Sequence, residues 1–376
     1  MKAVVTHSDL DVPVEHGRSA IHLAAGIEYV MHDVEVESGL RADVFASVRK
    51  LPRRPRQFDS AQPMNGKLIA PFIGGLGDAI SMLPILAAIR ANFPGIEIVI
   101  ATTPGPAEIF ALSPLIREVK PYPLNRKAWS TYDWYVSMEA VHETAQKPGR
   151  ALPEVFAGSI GLELPETQMK PEWLKTADEK HSDPVNGSKA RIGIAVGEGD
   201  SLRTYPRTYL IQLIERLSEQ RITSVLLGIA DPSLTVNLPS ASVIDLRSKT
   251  PTFASLVTTL KSLDVIIAHD SFIMHLAGLL GRPTIGLFAP TSREHASPYP
   301  SIRPLMSDIS CAPCHASSGT CPKGFPRCIA WDREILMPPA IMEAVLKAMS
   351  MKSVRVETKP ESQAVASTGD VTFSAS

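Results

Sequence analysis

GKLIAPFIGGLGDAISMLPILAAIRANFPGIEIVIAT, residues 66–102, decides the fold class. An apolar run, GKLIAPFI, ends in Gly74-Gly75-Leu76-Gly77-Asp78. Apolar residues then recur at helical spacing through AISMLPILAAIRANFP, and IEIVIAT is a second apolar run. A strand, a glycine turn, a helix and another strand make a βαβ unit, which requires a parallel sheet.

Working outward, REVKPYP (117–123) and YDWYVSM (132–138) read as strands, and PAEIFALS (106–113) and PEVFAGSIG (153–161) as helices. Residues 175–190, KTADEKHSDPVNGSKA, are polar and read as a linker. Beyond them the rhythm restarts with RIGIAVG, TYLIQLIERLSEQ, SVLLGI, ASVIDL, FASLVTTLKSL, DVIIAHD, SFIMHLAGLLG and PTIGLFAP. The pattern predicts two doubly wound, Rossmann-like α/β domains, residues 66–178 and 188–350. Their ligand is expected where the carboxyl ends of both sets of strands face a central cleft.

The flanks say less. Within residues 1–65, an N-terminal extension of unassigned role, SAIHLAAGIEYVMHDV (19–34) suits a helix or a strand pair. The basic, Pro-rich KLPRRPRQF (50–58) reads as a linker, or as a docking face for an anionic acceptor or a membrane. Residues 351–376, rich in Ser and Thr, are expected to be a disordered tail.

With 376 residues, 44% hydrophobic and 20% charged, the chain can bury a large core and is not of disordered composition. A formal net charge of -1 excludes a global basic field, so no nucleic-acid partner is expected and any anion must be met by local groups. MKAVVTHSDL lacks the basic-then-apolar pattern of a signal peptide, and no stretch approaches the roughly 20 apolar residues of a membrane span. The cytoplasm is the expected compartment, with at most peripheral membrane association.

Four places carry residues suited to chemistry. Glycines 74, 75 and 77 let the backbone turn sharply and approach a ligand, and Asp78 either caps the following helix or acts as a general base on a hydroxyl. In DVIIAHDSFIMHLAGLLGRPTIGLFAPT (264–291) a buried strand ends at His269, and a helix starts with Asp270 or Ser271 as N-cap. His275, four residues past Ser271, shares that face, so a hydroxyl, an imidazole and free N–H groups would meet a diphosphate there. Arg203, in the polar loop GEGDSLRTYP (197–206), brings a fixed positive charge to phosphate. Cys311, Cys314, Cys321 and Cys328 hold all the thiols within CAPCHASSGTCPKGFPRC. Such a set can cage a structural Zn or Fe, remain metal-free, or form disulfides, which a cytosolic protein would keep reduced.

These motifs together resemble glycosyltransferase family 9, the ADP-heptose heptosyltransferases of lipopolysaccharide assembly, over roughly residues 66–350. The resemblance rests on the Gly-x-Gly-Asp loop with MLPILAAIRANFP, on RTYP, on HDSFIMHLAGLLGRPTIGLFAPT and on the late cysteine segment, which also resembles that of iron-binding autotransporter heptosyltransferases. It implies a GT-B fold and inverting transfer without a catalytic metal. The donor would be an ADP-sugar, and the acceptor lipopolysaccharide core or a protein, at the inner face of the cytoplasmic membrane; a homo-oligomer is compatible with it. Asp78 would take the acceptor's proton, Arg203 would neutralise the leaving diphosphate, and Asp270, Ser271 and His275 would bind phosphate. Asp231, in GIADPS, matches a donor-ribose contact. One departure stands out: the family usually has Gly where this chain has Phe272, a side chain expected to crowd the diphosphate. A sugar-nucleotide epimerase and a non-catalytic sugar-nucleotide-binding protein are the alternative readings.

Overall fold

The computed structural model describes residues 1–6, 10–14, 19–31, 45–49, 55–136, 151–164, 190–195, 202–228, 242–250, 252–296, 298–316 and 321–357. Ahead of Gly66 lie β1 (Lys2–Thr6), β2 (Leu10–Val14), β3 (Ser19–Leu23), β4 (Glu28–Met31), β5 (Phe45–Arg49) and β6 (Arg56–Gln57). The stretch read as a helix or a strand pair is thus two strands, but they pair elsewhere: β3 with β2, and β4 with β1, all antiparallel. Between them the chain turns at Gly26, whose φ of 73° suits a residue without a Cβ.

From Gly66 the predicted alternation appears as β7 (Gly66–Phe72), α1 (Leu76–Asn92), β8 (Ile96–Thr102), α2 (Pro104–Ala111), β9 (Ile116–Pro121), β10 (Leu124–Asn125), α3 (Arg126–Trp129), β11 (Trp134–Tyr135) and α4 (Leu152–Ser159). The sheet runs β6-β11-β7-β8-β9, parallel throughout. Part of the Pro-rich segment read as a linker, Arg56–Gln57, is therefore an edge strand, with the Arg56 guanidinium 3.9 Å over the Trp134 ring.

Strand alternation divides this sheet's faces between two cores. Leu68, Ala70, Ile98 and Ile100 join the helical layer of α1, α2 and α4. Ile69, Val99 and Ala101 point the other way, onto Val4, Leu23, Val30, Met31 and Phe45. An antiparallel sheet, ordered β10-β4-β1-β5, covers this second face. β10 supplies one of its edges, and a bidentate pair from Arg126 to Glu28, 3.0 and 2.8 Å, ties the corner.

The later half contains β12 (Arg191–Ala195), α5 (Arg207–Glu219), β13 (Thr223–Leu226), β14 (Val243–Asp245), α6 (Phe253–Ser262), β15 (Val265–His269), α7 (Phe272–Leu279), β16 (Thr284–Phe288), β17 (Ile302–Met306) and α8 (Pro338–Glu357). Its parallel sheet, β14-β13-β12-β15-β16-β17, reverses direction of growth between β12 and β15. In α5, Leu210, Leu213, Ile214 and Leu217 form the buried stripe that a surface helix lays on a sheet. α8 carries regular structure through Glu357, beyond the expected start of the tail, and residues 358–376 lie outside the described residues.

One core runs through both halves: Ile80 and Leu83 of α1 share it with Leu256 of α6 and Met274 and Leu276 of α7. At the same junction Glu108 of α2 accepts a 2.6 Å hydrogen bond from Phe253 N, the first residue of α6. A carboxylate there satisfies a helix-start N–H and favours the dipole. No helix among the described residues is long and apolar enough to cross a membrane.

Met31 and Ile69 are fully or almost fully buried between the two N-terminal sheets. Truncating either to Ala is expected to cost about 2–5 kcal/mol. Urea unfolding followed by tryptophan fluorescence should show this as a shift of a single transition. A separate early transition would mean that the antiparallel sheet folds by itself.

Candidate functional site

The reversal between β12 and β15 opens a crevice at the strands' carboxyl ends. His269, closing β15, donates from Nδ1 to Ala195 O at 2.9 Å and so pins the two strand ends together. Residues 196–201 lie outside the described residues; the chain resumes at Leu202, and Arg203 is half-buried beside the crevice. A buried aromatic pair fixes this turn from below. Trp331 Nε1 donates to Leu202 O at 3.0 Å, Tyr205 OH donates to Leu336 O at 2.9 Å, and the rings meet edge to face at 5.4 Å. Burial pushes the Tyr205 hydroxyl well above its ordinary pKa, keeping it a donor.

Asp270 follows β15 and is 6% exposed. The N-cap of α7 is Ser271, but no side chain caps the helix; Asp270 turns to histidines instead. Its Oδ2 accepts from His295 Nδ1 at 2.9 Å, and its Oδ1 lies 3.4 Å from His275 Nε2. Burial alone would raise the Asp270 pKa; the two imidazoles outweigh it and hold the carboxyl well below the usual range. His295 shows the converse balance: burial lowers its pKa, and the carboxylate raises it further. Ser271 Oγ and His275 Nδ1 are buried without a hydrogen-bond partner in the structure. Tyr299 packs edge-on to His275 at 5.7 Å and also fills the space beside Gly278, where a Cβ would lie 2.5 Å from its ring.

The Gly-Asp loop reaches the same place from the other sheet. Gly75 is the N-cap of α1, and Asp78 Oδ2 accepts from its backbone N–H at 2.9 Å. Gly74 leaves the room this requires, since a Cβ there would stand 3.1 Å from Asp78 Oδ2 and 2.9 Å from the Phe72 ring. A Cβ on Gly77 would stand 3.5 Å from His275 Cδ2 and 3.8 Å from the Phe272 backbone. The structure therefore gathers Gly74, Gly75, Gly77 and Asp78 with Asp270, Ser271 and His275. Phe272 turns its ring toward Phe253, with centroids 6.1 Å apart, and packs against the core. Asp231 lies outside the described residues. His295, Tyr205, Trp331 and Tyr299 are neighbours that the motifs did not single out.

The four cysteines are free thiols, and all line one cavity of about 20 Å³ beneath Pro290, room for a single small occupant. Burial, reinforced by the other three thiols, raises the Cys328 pKa. Four such donors fit a thiolate-bound Zn or Fe in chemistry and number, although among the described residues no group of three or more His, Cys, Asp or Glu is drawn together closely enough to hold an ion.

The model of glycosyltransferase family 9 (heptosyltransferase) matches residues 126–323, more than half of the chain. The chain belongs to glycosyltransferase family 9. No curated protein matches it. Among solved structures, the E. coli ADP-heptose lipopolysaccharide heptosyltransferase II is 16% identical with a TM-score of 0.56, covering 76% of this chain and 99% of that one. The iron-containing dodecameric glycosyltransferase TibC from enterotoxigenic E. coli H10407 is 14% identical with a TM-score of 0.58, covering 78% and 81%. TibC in complex with ADP-D-β-D-heptose is 12% identical, also at 0.58, over 93% of each chain. The shared architecture is GT-B, and this family 9 glycosyltransferase builds it from the two parallel sheets described above.

Two outcomes follow from the Asp270 cluster. The ion pair's contribution to stability is full from about pH 4 to 6.5, the ordinary pKa range of the partners' unfolded forms. It is lost as pH rises through the raised His295 pKa, and at the acid end as pH falls through the depressed Asp270 pKa. Melting temperature should thus decline above neutrality in the wild type, and His295→Gln should remove that decline. Gly278→Ala, driven into Tyr299, should cost about 1–3 kcal/mol by chemical denaturation.

Proposed function

We propose that this glycosyltransferase moves heptose, or a closely similar sugar, from an ADP-sugar to a cell-envelope acceptor, with inversion. The observation that carries the reading is the closeness of Gly77 to His275, where a Cβ added to Gly77 would stand 3.5 Å from the imidazole, which sets the Gly-Asp loop of one sheet against the helix α7 of the other. With Oδ2 committed to Gly75 N, Asp78 keeps Oδ1 to take the proton of the acceptor hydroxyl. The hydroxyl oxygen bonds to the anomeric carbon, the bond to the diphosphate breaks, and its electron pair leaves on phosphate oxygen. Arg203, the Ser271 hydroxyl, His275 and the first N–H groups of α7 receive that charge, and Asp231 is assigned the donor ribose.

The acceptor belongs with the first sheet. A cavity of about 260 Å³ at the carboxyl ends of β6 and β11, lined by Gln57, Phe58, Asp59, Ser60, Val136 and Gly161, offers room and polar groups for it on that side. That heptosyltransferase II is named for ADP-heptose and lipopolysaccharide, and that TibC binds ADP-D-β-D-heptose, supports the donor. Lipopolysaccharide core or a protein is the acceptor class. We place the enzyme in the cytoplasm at the inner membrane face, and the dodecameric TibC supports assembly of several copies. A Zn or Fe on Cys311, Cys314, Cys321 and Cys328 would brace the loop they form, apart from the reaction.

A thermal-shift series with ADP-, UDP- and GDP-sugars tests the donor: ADP ligands should raise the melting temperature, and a flat response to all of them rejects the reading. Asp78→Asn keeps an acceptor for Gly75 N but no base. Turnover should fall about 10²–10⁴-fold with ADP affinity retained; unchanged turnover would leave Asp78 only its capping role. Elemental analysis of the purified protein should find about one Zn or Fe per chain, as a closed four-thiolate site implies, and a metal-free folded protein would exclude the cage.

A further inference from the structure

The cysteine loop reaches the crevice. Its Cys314 and His315 N–H groups both donate to Pro290 O, at 3.0 and 2.8 Å, which ties the loop to the segment leaving β16. His315 sits in the left-handed region, φ 53°, and lays its ring beside that of His295, with centroids 5.5 Å apart. His295 in turn donates to Asp270. A line of side chains thus leads from His315, the residue after Cys314, through His295 to Asp270 at the start of α7.

His295 is the open member of this line. Its side chain is 19% exposed, against 7% for both Asp270 and His275. Because Nδ1 is spent on Asp270, Nε2 on the far side of the ring is the nitrogen left for a ligand. The buried carboxylate raises the pKa of this imidazole against the cost of burial, favouring the protonated ring that donates from both nitrogens. The other charges facing His295 are Arg203 and Glu294, and Glu294 lies 3.8 Å from Arg293; the neighbouring His315 is also titratable, but burial lowers its pKa. Arg203 adds positive charge on the same side, lowering the His295 pKa against the effect of Asp270 and Glu294.

We propose that His295 contacts the donor's diphosphate, giving a hydrogen bond from Nε2 to a phosphate oxygen, and that the cysteine loop holds it in place through His315. This rests on the nucleotide-sugar reading above. During transfer the His295 proton stays on nitrogen, while the acceptor's proton goes to Asp78. The bond strengthens as the electron pair of the breaking anomeric C–O bond moves onto the diphosphate.

Calorimetric titration of the intact protein with ADP, inorganic pyrophosphate and adenosine tests this. His295→Gln should weaken ADP and pyrophosphate at least about tenfold, as loss of one charge-assisted hydrogen bond implies, and leave adenosine unchanged. His315→Ala should produce a smaller loss with the same selectivity. In turnover, His295→Gln should lower kcat as well as raise the donor KM. The proposal is overturned if His295→Gln binds ADP and pyrophosphate within twofold of wild type, or if adenosine weakens equally, which marks a purely structural role. Wild-type binding of pyrophosphate without ADP would sink the choice of nucleotide but sustain the anion contact. Binding of neither would remove the donor site and this assignment together.

Discussion

Two helix starts that touch organise this molecule. α1 leaves one parallel sheet and α7 leaves the other, and they meet where Gly77 faces His275. Parallel strands point their carboxyl ends, and therefore the positive ends of their following helices, toward one edge of each sheet. Bringing two such edges together concentrates N–H donors around a small volume, and at Gly77 the two helices are close enough that a Cβ would be in van der Waals contact with His275. The hydrophobic core that continues from Ile80 to Met274 supplies the cohesion that holds like ends of two dipoles in proximity.

Asp270 answers the electrostatic problem this creates. A buried carboxylate beside the proposed diphosphate site would repel its ligand if it stood alone. With an imidazole on each oxygen it acts as an orienting group, fixing two rings, that of His275 buried and that of His295 partly open. The arrangement resembles a ligand set whose outer neighbours decide its direction, and the Tyr205–Trp331 pair does the same for the turn carrying Arg203.

Much of this was legible from residue order. The βαβ rhythm follows from local periodicity, and glycines 74 and 77, Asp270, Ser271 and His275 stand out because strand ends and helix starts collect in such folds. What escaped depends on contacts distant along the chain. His295 reaches Asp270 across 25 positions, and Trp331 reaches Leu202 across 129, with no spacing rule to connect them. The short strands β1, β4 and β5 have too few residues to show alternation clearly, and β1 pairs with both of the others across intervening chain. The direction of the Phe272 ring, toward Phe253 with centroids 6.1 Å apart, is likewise invisible to residue identity.

The antiparallel sheet over Ile69 and Val99 has a further meaning. β10, a strand of the enzyme's first α/β half, is hydrogen-bonded into that sheet, and Arg126 locks it to Glu28. The change of character at Gly66 is therefore a border in composition but not in cohesion. Fusion, transplantation or shuffling of the transferase half at that border would strip a sheet face and orphan an edge strand, so any inheritance of this architecture has to carry the first 49 residues along with the catalytic body.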